Sequence, residues 1–189
     1  RRFVGRFAFS PGGTWLATSW GQDNYVRLWN VATGQRGPAL PRPGAWRSAL
    51  AWSPDGASLV SLDRDEELYL WNADGSPGRR WKAGMRGPSS LAWSPDGRWL
   101  ATGTRDSPVV RLWTPQGEPG PAIDCPPKCA YLAFSPDSHL LAINFDKGIG
   151  LWDTATGKRE QIVCERDTGM AWLAWTPDGR QLFVGGRNG

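Results

Sequence analysis

Cys125, Cys129 and the lone histidine, His139, are the residues from which chemistry would first be expected. Cys125-Pro126-Pro127-Lys128-Cys129 has the C-x3-C outline of half a zinc site. Closed zinc sites need about four nitrogen or sulfur ligands, and His139 falls at the start of a different predicted strand, so no structural metal is expected. Three cysteines without a disulfide-rich pattern fit a reducing compartment, and a cytoplasmic location is the expectation; a local bridge between Cys125 and Cys129 stays open beside it. A Ser/His/Asp or Cys/His set would need His139 beside a nucleophile, and nothing in the sequence marks one out. Most carboxylates recur with a repeat and belong to its turns, which leaves no acid/base pair. Gly-rich turns lie between strands and never open a helix, so the phosphate-cradle reading falls away. No catalytic, cofactor-binding or metal-ligating residue is assigned, no cofactor is expected, and the chain reads as a non-enzyme.

The elements that would position any site must be short strands. A hydrophobic content of 40% and an aromatic content of 12% suit a globular core. The 24 glycines and 16 prolines are spread at regular intervals, as in strands joined by tight turns. The net charge is +4, and the 22 basic residues are scattered without forming a block. That hints at acidic partners and does not suggest a nucleic-acid surface. No apolar run approaches the ~18 residues of a membrane span. The chain opens Arg1-Arg2-Phe3 without an initiator Met, so it is expected to begin inside a longer protein.

One outline returns along the sequence. Ser10-Pro11-Gly12-Gly13, Ser53-Pro54-Asp55-Gly56, Ser94-Pro95-Asp96-Gly97, Ser135-Pro136-Asp137-Ser138 and Thr176-Pro177-Asp178-Gly179 are spaced by 43, 41, 41 and 41 residues. Proline presets φ at the first turn position, and a glycine such as Gly97 supplies the left-handed residue, so each phrase predicts a hairpin. The strand before it ends at Phe9, Trp52, Trp93, Phe134 or Trp175, each preceded by an alanine. The strand after it begins near Leu16, Leu59, Leu100, Leu141 or Leu182, and a third ends at Trp29, Trp71, Trp113 or Trp152. The alanine column is expected on the crowded side, where neighbouring sheets approach, and the aromatic column in the other layer. A period of ~40–45 residues with several short strands is the trace of a β-propeller blade.

These columns, with Leu151-Trp152-Asp153, resemble the WD-repeat β-propeller family, and the phrase from Ala32 to Leu40 resembles bacterial members. The resemblance implies an all-β fold with four-stranded blades, strands a to d. It implies repeats at approximately 1–43, 44–84, 85–125, 126–166 and 167–189: four complete blades, strands a and b of a fifth, and an incomplete ring. The remaining blades would come from the same parent chain or from self-association. In this family an Asp of the b–c turn joins a hydrogen-bond chain with a His, a strand-b hydroxyl and the strand-c Trp. Asp23, Asp65 and Asp146 stand six residues before their Trp and Asp106 seven, which suggests a bulge near Ser107-Pro108. No Gly-His pair occurs; Thr18, Ser61 and Thr102 can fill the hydroxyl place and Ile143 cannot. The blades are therefore expected to hold mainly through Trp29, Trp71, Trp113 and Trp152, with the Asp residues acting on turn amides.

The resemblance also implies a non-catalytic scaffold that binds a protein or peptide. Residues that break the repeat are free to carry specificity, and the loop end would expose Trp20, Trp46, Arg47, Arg64, Arg86, Arg105, Lys128, Tyr131, Phe145, Met170 and Trp172. A second reading is the regulatory or sensor half of a signalling enzyme whose serine/threonine kinase or NTPase domain lies outside these residues. A third, an enzyme using the propeller channel, would need clusters of His and carboxylates in further blades.

Overall fold

Apolar and polar residues alternate on either side of each Ser-Pro-Asp-Gly phrase, and the chain folds there into antiparallel strand pairs. The structure, a computed structural model, describes residues 6–19, 24–41, 49–63, 66–84, 88–129, 131–164 and 172–185, and no helix occurs among them. The chain divides into two units, one ending at Gly84 and one beginning at Met85. In the first, β1 (Arg6–Phe9), β2 (Trp15–Ser19), β3 (Tyr25–Asn30) and β4 (Arg36–Pro41) form one sheet, and β5 (Ala49–Trp52), β6 (Ser58–Leu62), β7 (Glu67–Asn72) and β8 (Pro77–Lys82) form another. The second holds a sheet of β9 (Pro88–Trp93), β10 (Leu100–Thr104), β11 (Val109–Trp113) and β12 (Pro119–Asp124). It continues with β13 (Tyr131–Phe134), β14 (Leu140–Phe145), β15 (Gly148–Asp153) and β16 (Arg159–Cys164), and ends with the pair β17 (Trp172–Trp175) and β18 (Leu182–Gly185). These are the expected blades, four complete and a fifth represented by two strands, with the weakly marked outer strand present as β4, β8, β12 and β16.

The turns are cross-braced by their own side chains. Ser53 Oγ–H donates to Asp55 Oδ1 at 2.5 Å, and the same carboxylate oxygen accepts Ala57 N–H at 2.9 Å. Ser53 Oγ in turn accepts the first strand N–H, from Ser58, at 2.9 Å. The set recurs at Ser94/Asp96, Ser135/Asp137 and Thr176/Asp178. In the fourth phrase Ser138 takes the left-handed conformation that Gly97 takes in the third, with φ of 65° against 72°.

Indoles fasten the sheets in two ways. Within a sheet, the strand-c Trp donates to a strand-b hydroxyl: Trp29 Nε1 to Thr18 Oγ1 at 2.9 Å, Trp71 to Ser61 Oγ at 3.3 Å, and Trp113 to Thr102 Oγ1 at 3.0 Å. Where Ile143 offers no hydroxyl, Trp152 Nε1 turns to the Asp124 carbonyl of the neighbouring sheet, 3.1 Å away. Between sheets of one unit, the strand-a Trp reaches back to the preceding alanine: Trp52 Nε1 to Ala8 O at 3.2 Å and Trp175 Nε1 to Ala133 O at 3.1 Å. The alanine side is thus the receiving side. In the first unit Ala17, Val26, Leu28 and Leu40 meet Trp52, Leu59, Tyr69 and Trp71. In the second, Ala101, Val110, Leu112 and Ile123 meet Leu132, Phe134, Leu141, Ile143 and Trp152.

Strand c shifts register against strand d at or just before its Trp in all four complete sheets. In two of them an indole fills the space over a strand-d glycine; a Cβ on Gly37 would lie 2.7 Å from the Trp15 ring and one on Gly120 2.3 Å from that of Trp99. The bulge expected near Ser107-Pro108 is not formed: β10 pairs with β11 without a register shift, and the extra residue lies in the loop from Arg105 to Pro108, while the shift between Gly103 and Thr104 belongs to the pairing of β10 with β9.

Two measurements check this account. Thr102→Val keeps the shape and removes the acceptor of a buried indole, so urea unfolding should show a loss of about 1–3 kcal/mol, and Thr18→Val beside the less buried Trp29 a smaller one. The Asp55 and Asp137 carboxyls are held below their ordinary value of 3.8, first by the serine hydroxyl and then by the turn N–H. A depressed folded value means their stabilisation is complete above about pH 3.8 and is lost as the pH falls through the lower folded value. Carboxyl NMR titration of Ser135→Ala should return Asp137 toward the ordinary range and leave Asp55 unmoved.

Candidate protein-interaction surface

At one end of the second unit three connections meet: the β10–β11 loop, the β12–β13 segment and the β14–β15 turn. Cys125 N–H donates to Pro108 O at 2.9 Å, and Asp146 N–H to Pro127 O at 3.0 Å. Lys128, in a left-handed conformation with φ of 68°, places its ammonium 2.6 Å from Asp146 Oδ1. Both side chains keep substantial contact with water, so the pair positions the turn more than it stabilises the fold. Cys125 and Cys129 form a disulfide with Cα atoms 6.8 Å apart, which settles the alternative that spacing left open. Cys164 is a free thiol. Among the described residues, no three His, Cys, Asp or Glu side chains are grouped to hold a metal ion.

Around this cluster Arg105 is exposed and Tyr131 half-buried. Trp172, on β17, is 58% exposed, its indole lying across Gly185, where a Cβ would come within 2.5 Å of Nε1. Phe145 departs from expectation. It is buried and meets Trp152 edge-on, with ring centroids 6.2 Å apart. The strand runs one residue further than the loop boundary assumed, and Phe145 takes a core position that the sequence placed on the surface. Trp20, Trp46, Arg47, Arg64, Arg86 and Met170 lie outside the described residues, as do Asp23 and Asp65.

The sequence model of the family described as "WD domain, G-beta repeat" matches residues 2–30 and 82–114. The chain is 26% identical over 208 residues to "Nuclear distribution protein PAC1-2" of Uncinocarpus reesii, covering 92% of this chain and 45% of that protein. It is 27% identical over 159 residues to "Protein tipD" of Dictyostelium discoideum, covering 82% of this chain and 26% of that one. A third match, to a "Coronin-like protein" of Saccharomyces cerevisiae, is 35% identical over 71 residues, 38% of this chain and 11% of the relative. Two stretches of the chain match the WD-repeat family, and its sheets have the blade arrangement. The chain spans less than half the length of these relatives, all three of them eukaryotic.

Beside the pattern that the resemblance implied, the chain has the indole-to-hydroxyl bond of strands b and c and uses the Asp differently. Asp106 is exposed, its own N–H donating to Thr104 Oγ1 at 3.2 Å, and Asp146 carries the bond to Lys128. Turn amides are braced by the carboxylates of Asp63, Asp74 and Asp153 and, in the proline phrases, by those of Asp55, Asp96, Asp137 and Asp178. Sequence reasoning read these as turn residues and missed the relay; a hydroxyl two residues before the Asp, in four phrases out of five, was the available signal. Phe145→Ala should lower unfolding free energy by about 3–5 kcal/mol, as for a core aromatic, measured by urea denaturation; a surface residue would shift it by about 0.5 kcal/mol or less.

Proposed function

We propose that this WD-repeat chain acts as a non-catalytic docking platform for a protein or peptide, engaged at the loop end of its second unit through Arg105, Tyr131 and Trp172. WD repeats and the WD-repeat relatives support an interaction scaffold as the general role. The observation that carries the specific surface is that residues outside the repeat pattern, exposed Arg105, half-buried Tyr131 and exposed Trp172, stand at one end of β10, β13 and β17, beside the exposed Lys128–Asp146 pair. Tryptophan and arginine are the side chains that concentrate binding energy at interfaces, because a large rigid ring and a planar cation lose little entropy on docking. The excess of basic residues, +4 overall, favours an acidic partner, attracted over a screening distance of about 8 Å at physiological salt.

The test is affinity capture with the full-length protein, comparing wild type with Trp172→Ala and Arg105→Glu, with thermal melting to show that each variant is folded. A partner engaged here should bind about 30-fold more weakly to Trp172→Ala, the loss of a ~2 kcal/mol hot spot. Its binding to wild type should also weaken with salt. Equal capture by wild type and both folded variants rejects the surface.

A further inference from the structure

The β12–β13 segment differs in one respect from the other three connections that lead into a strand a: it alone carries cysteines. The sheets on either side of the other connections form without a bridge, so the fold does not depend on one here. A bridge four residues apart closes so small a loop that it restricts the unfolded chain less than a long-range disulfide does. Its effect is local, and what it holds is specific. Residues 124–129 supply Asp124 O to the Trp152 indole, Pro127 O to the Asp146 N–H, Cys125 N–H to Pro108 O and the Lys128 ammonium to Asp146. The site is also furnished for the opposite state. Pro126 O lies 2.9 Å from Cys129 Sγ, an acceptor that a thiol can use and a disulfide sulfur cannot.

We infer that Cys125–Cys129 is a redox-sensitive clasp that sets the β12–β13 segment against the β10–β11 loop and the β14–β15 turn, and that a protein dithiol opens it. The inference stands independently of whether this end of the molecule docks a partner. In the opening step a thiolate of the dithiol attacks Cys125 Sγ, on the residue that keeps 6% of its surface where Cys129 keeps none, as the segment opens to admit it, and a mixed disulfide forms as the Cys129 thiolate leaves. The second thiol of the reductant, as its thiolate, displaces Cys125. In sum, two electrons and two protons pass to the protein, which then holds two thiols, while the reductant becomes a disulfide. Cys129 S–H donates to Pro126 O, and the segment is released from the covalent constraint that fixed Lys128 and Pro127 beside Asp146. In the reducing surroundings that the cysteine content suggests, a persistent bridge would not be retained, whereas a reversible one responds to an oxidant.

The test uses the full chain, prepared without reductant and equilibrated with oxidised glutathione, then divided and treated or not with thioredoxin and its reducing system. Maleimide labelling in denaturant followed by mass measurement should find one thiol, Cys164, in the oxidised sample and three after reduction. Hydrogen exchange should then show the Cys125 and Asp146 amides exchanging at least about 10-fold faster in the reduced sample, with the Ala101 and Ala142 amides of the central strands unchanged. Cys125→Ser/Cys129→Ser should match the reduced protein in both samples. Three free thiols after the oxidised-glutathione step would overturn the inference, as would one free thiol with no change at Cys125 and Asp146 on reduction.

Discussion

Among the described residues six indoles direct their single N–H to an acceptor in a neighbouring strand or sheet, and that need shapes the sheets. Leaving such a donor unmet inside a sheet stack costs about 1–3 kcal/mol; Trp93, whose buried N–H has no acceptor, is an exception, and elsewhere a buried indole position brings a second position with it. For strand c the companion is a hydroxyl on strand b, directly across from the residue two before the Trp, as Thr18 lies opposite Arg27 and Thr102 opposite Arg111. For the strand-a residues Trp52 and Trp175 the companion is the carbonyl of an alanine one sheet earlier, where a methyl is the whole side chain and a ring can approach closely. The first kind of bond sets an indole within its sheet; the second fixes the stagger between sheets of a unit. Alternation of alanine and aromatic residues along strand a is therefore one device: a sheet receives on its small face and inserts from its large face.

The turns complete this scheme from the other side of the sheet. A strand-b N–H to a serine oxygen, that hydroxyl to a carboxylate, and the carboxylate to a second N–H make a closed set in which every donor of the turn is met. Because the carboxylate is needed in its charged form, the geometry that orders the hairpin is also what lowers its proton affinity. The first phrase has Gly12 in place of Asp and keeps only the serine half, Ser10 Oγ accepting Trp15 N–H at 3.0 Å. The hairpin still forms, since the backbone bond from Gly13 N–H to Ser10 O is retained at 2.8 Å.

Much of this was legible from residue types alone, for a physical reason: period-two alternation, proline at a turn and glycine or Ser138 after it are local constraints that nothing distant can reverse. The positions of the first three strands in each of the four complete repeats, the alanine and aromatic layers and the missing hydroxyl at Ile143 all follow from them. What sequence missed depends on three-dimensional choices that local pattern does not encode. Phe145 is apolar beside a turn and could have faced either way; the extension of β14 by one residue, paired with Gly148, turns it inward. The extra residue before Trp113 could have been a bulge or a longer loop, and Pro108, which cannot donate to a ladder, favours the loop. Tyr131, Arg105 and Trp172 are alike in sequence as residues outside the repeat, and only their exposure separates them.

The single exception to the indole-to-hydroxyl rule carries a consequence for the neighbouring segment. With Ile143 in place of a hydroxyl, the Trp152 N–H crosses to Asp124 O in the adjacent sheet, and Trp152 becomes the most buried of the four strand-c indoles at 0% exposure. A bond that elsewhere lies within one sheet is here made between two, so its length depends on where the end of β12 is held. The residue after Asp124 is Cys125, bridged to Cys129, and the bridge lies in the same core cluster as Trp152. Substituting isoleucine for a small hydroxylated residue thus moves part of the cohesion of one sheet into the segment that precedes it. That segment is the one with a covalent constraint of its own, and the two departures from the repeat, an absent hydroxyl and an added bridge, act on the same carbonyl.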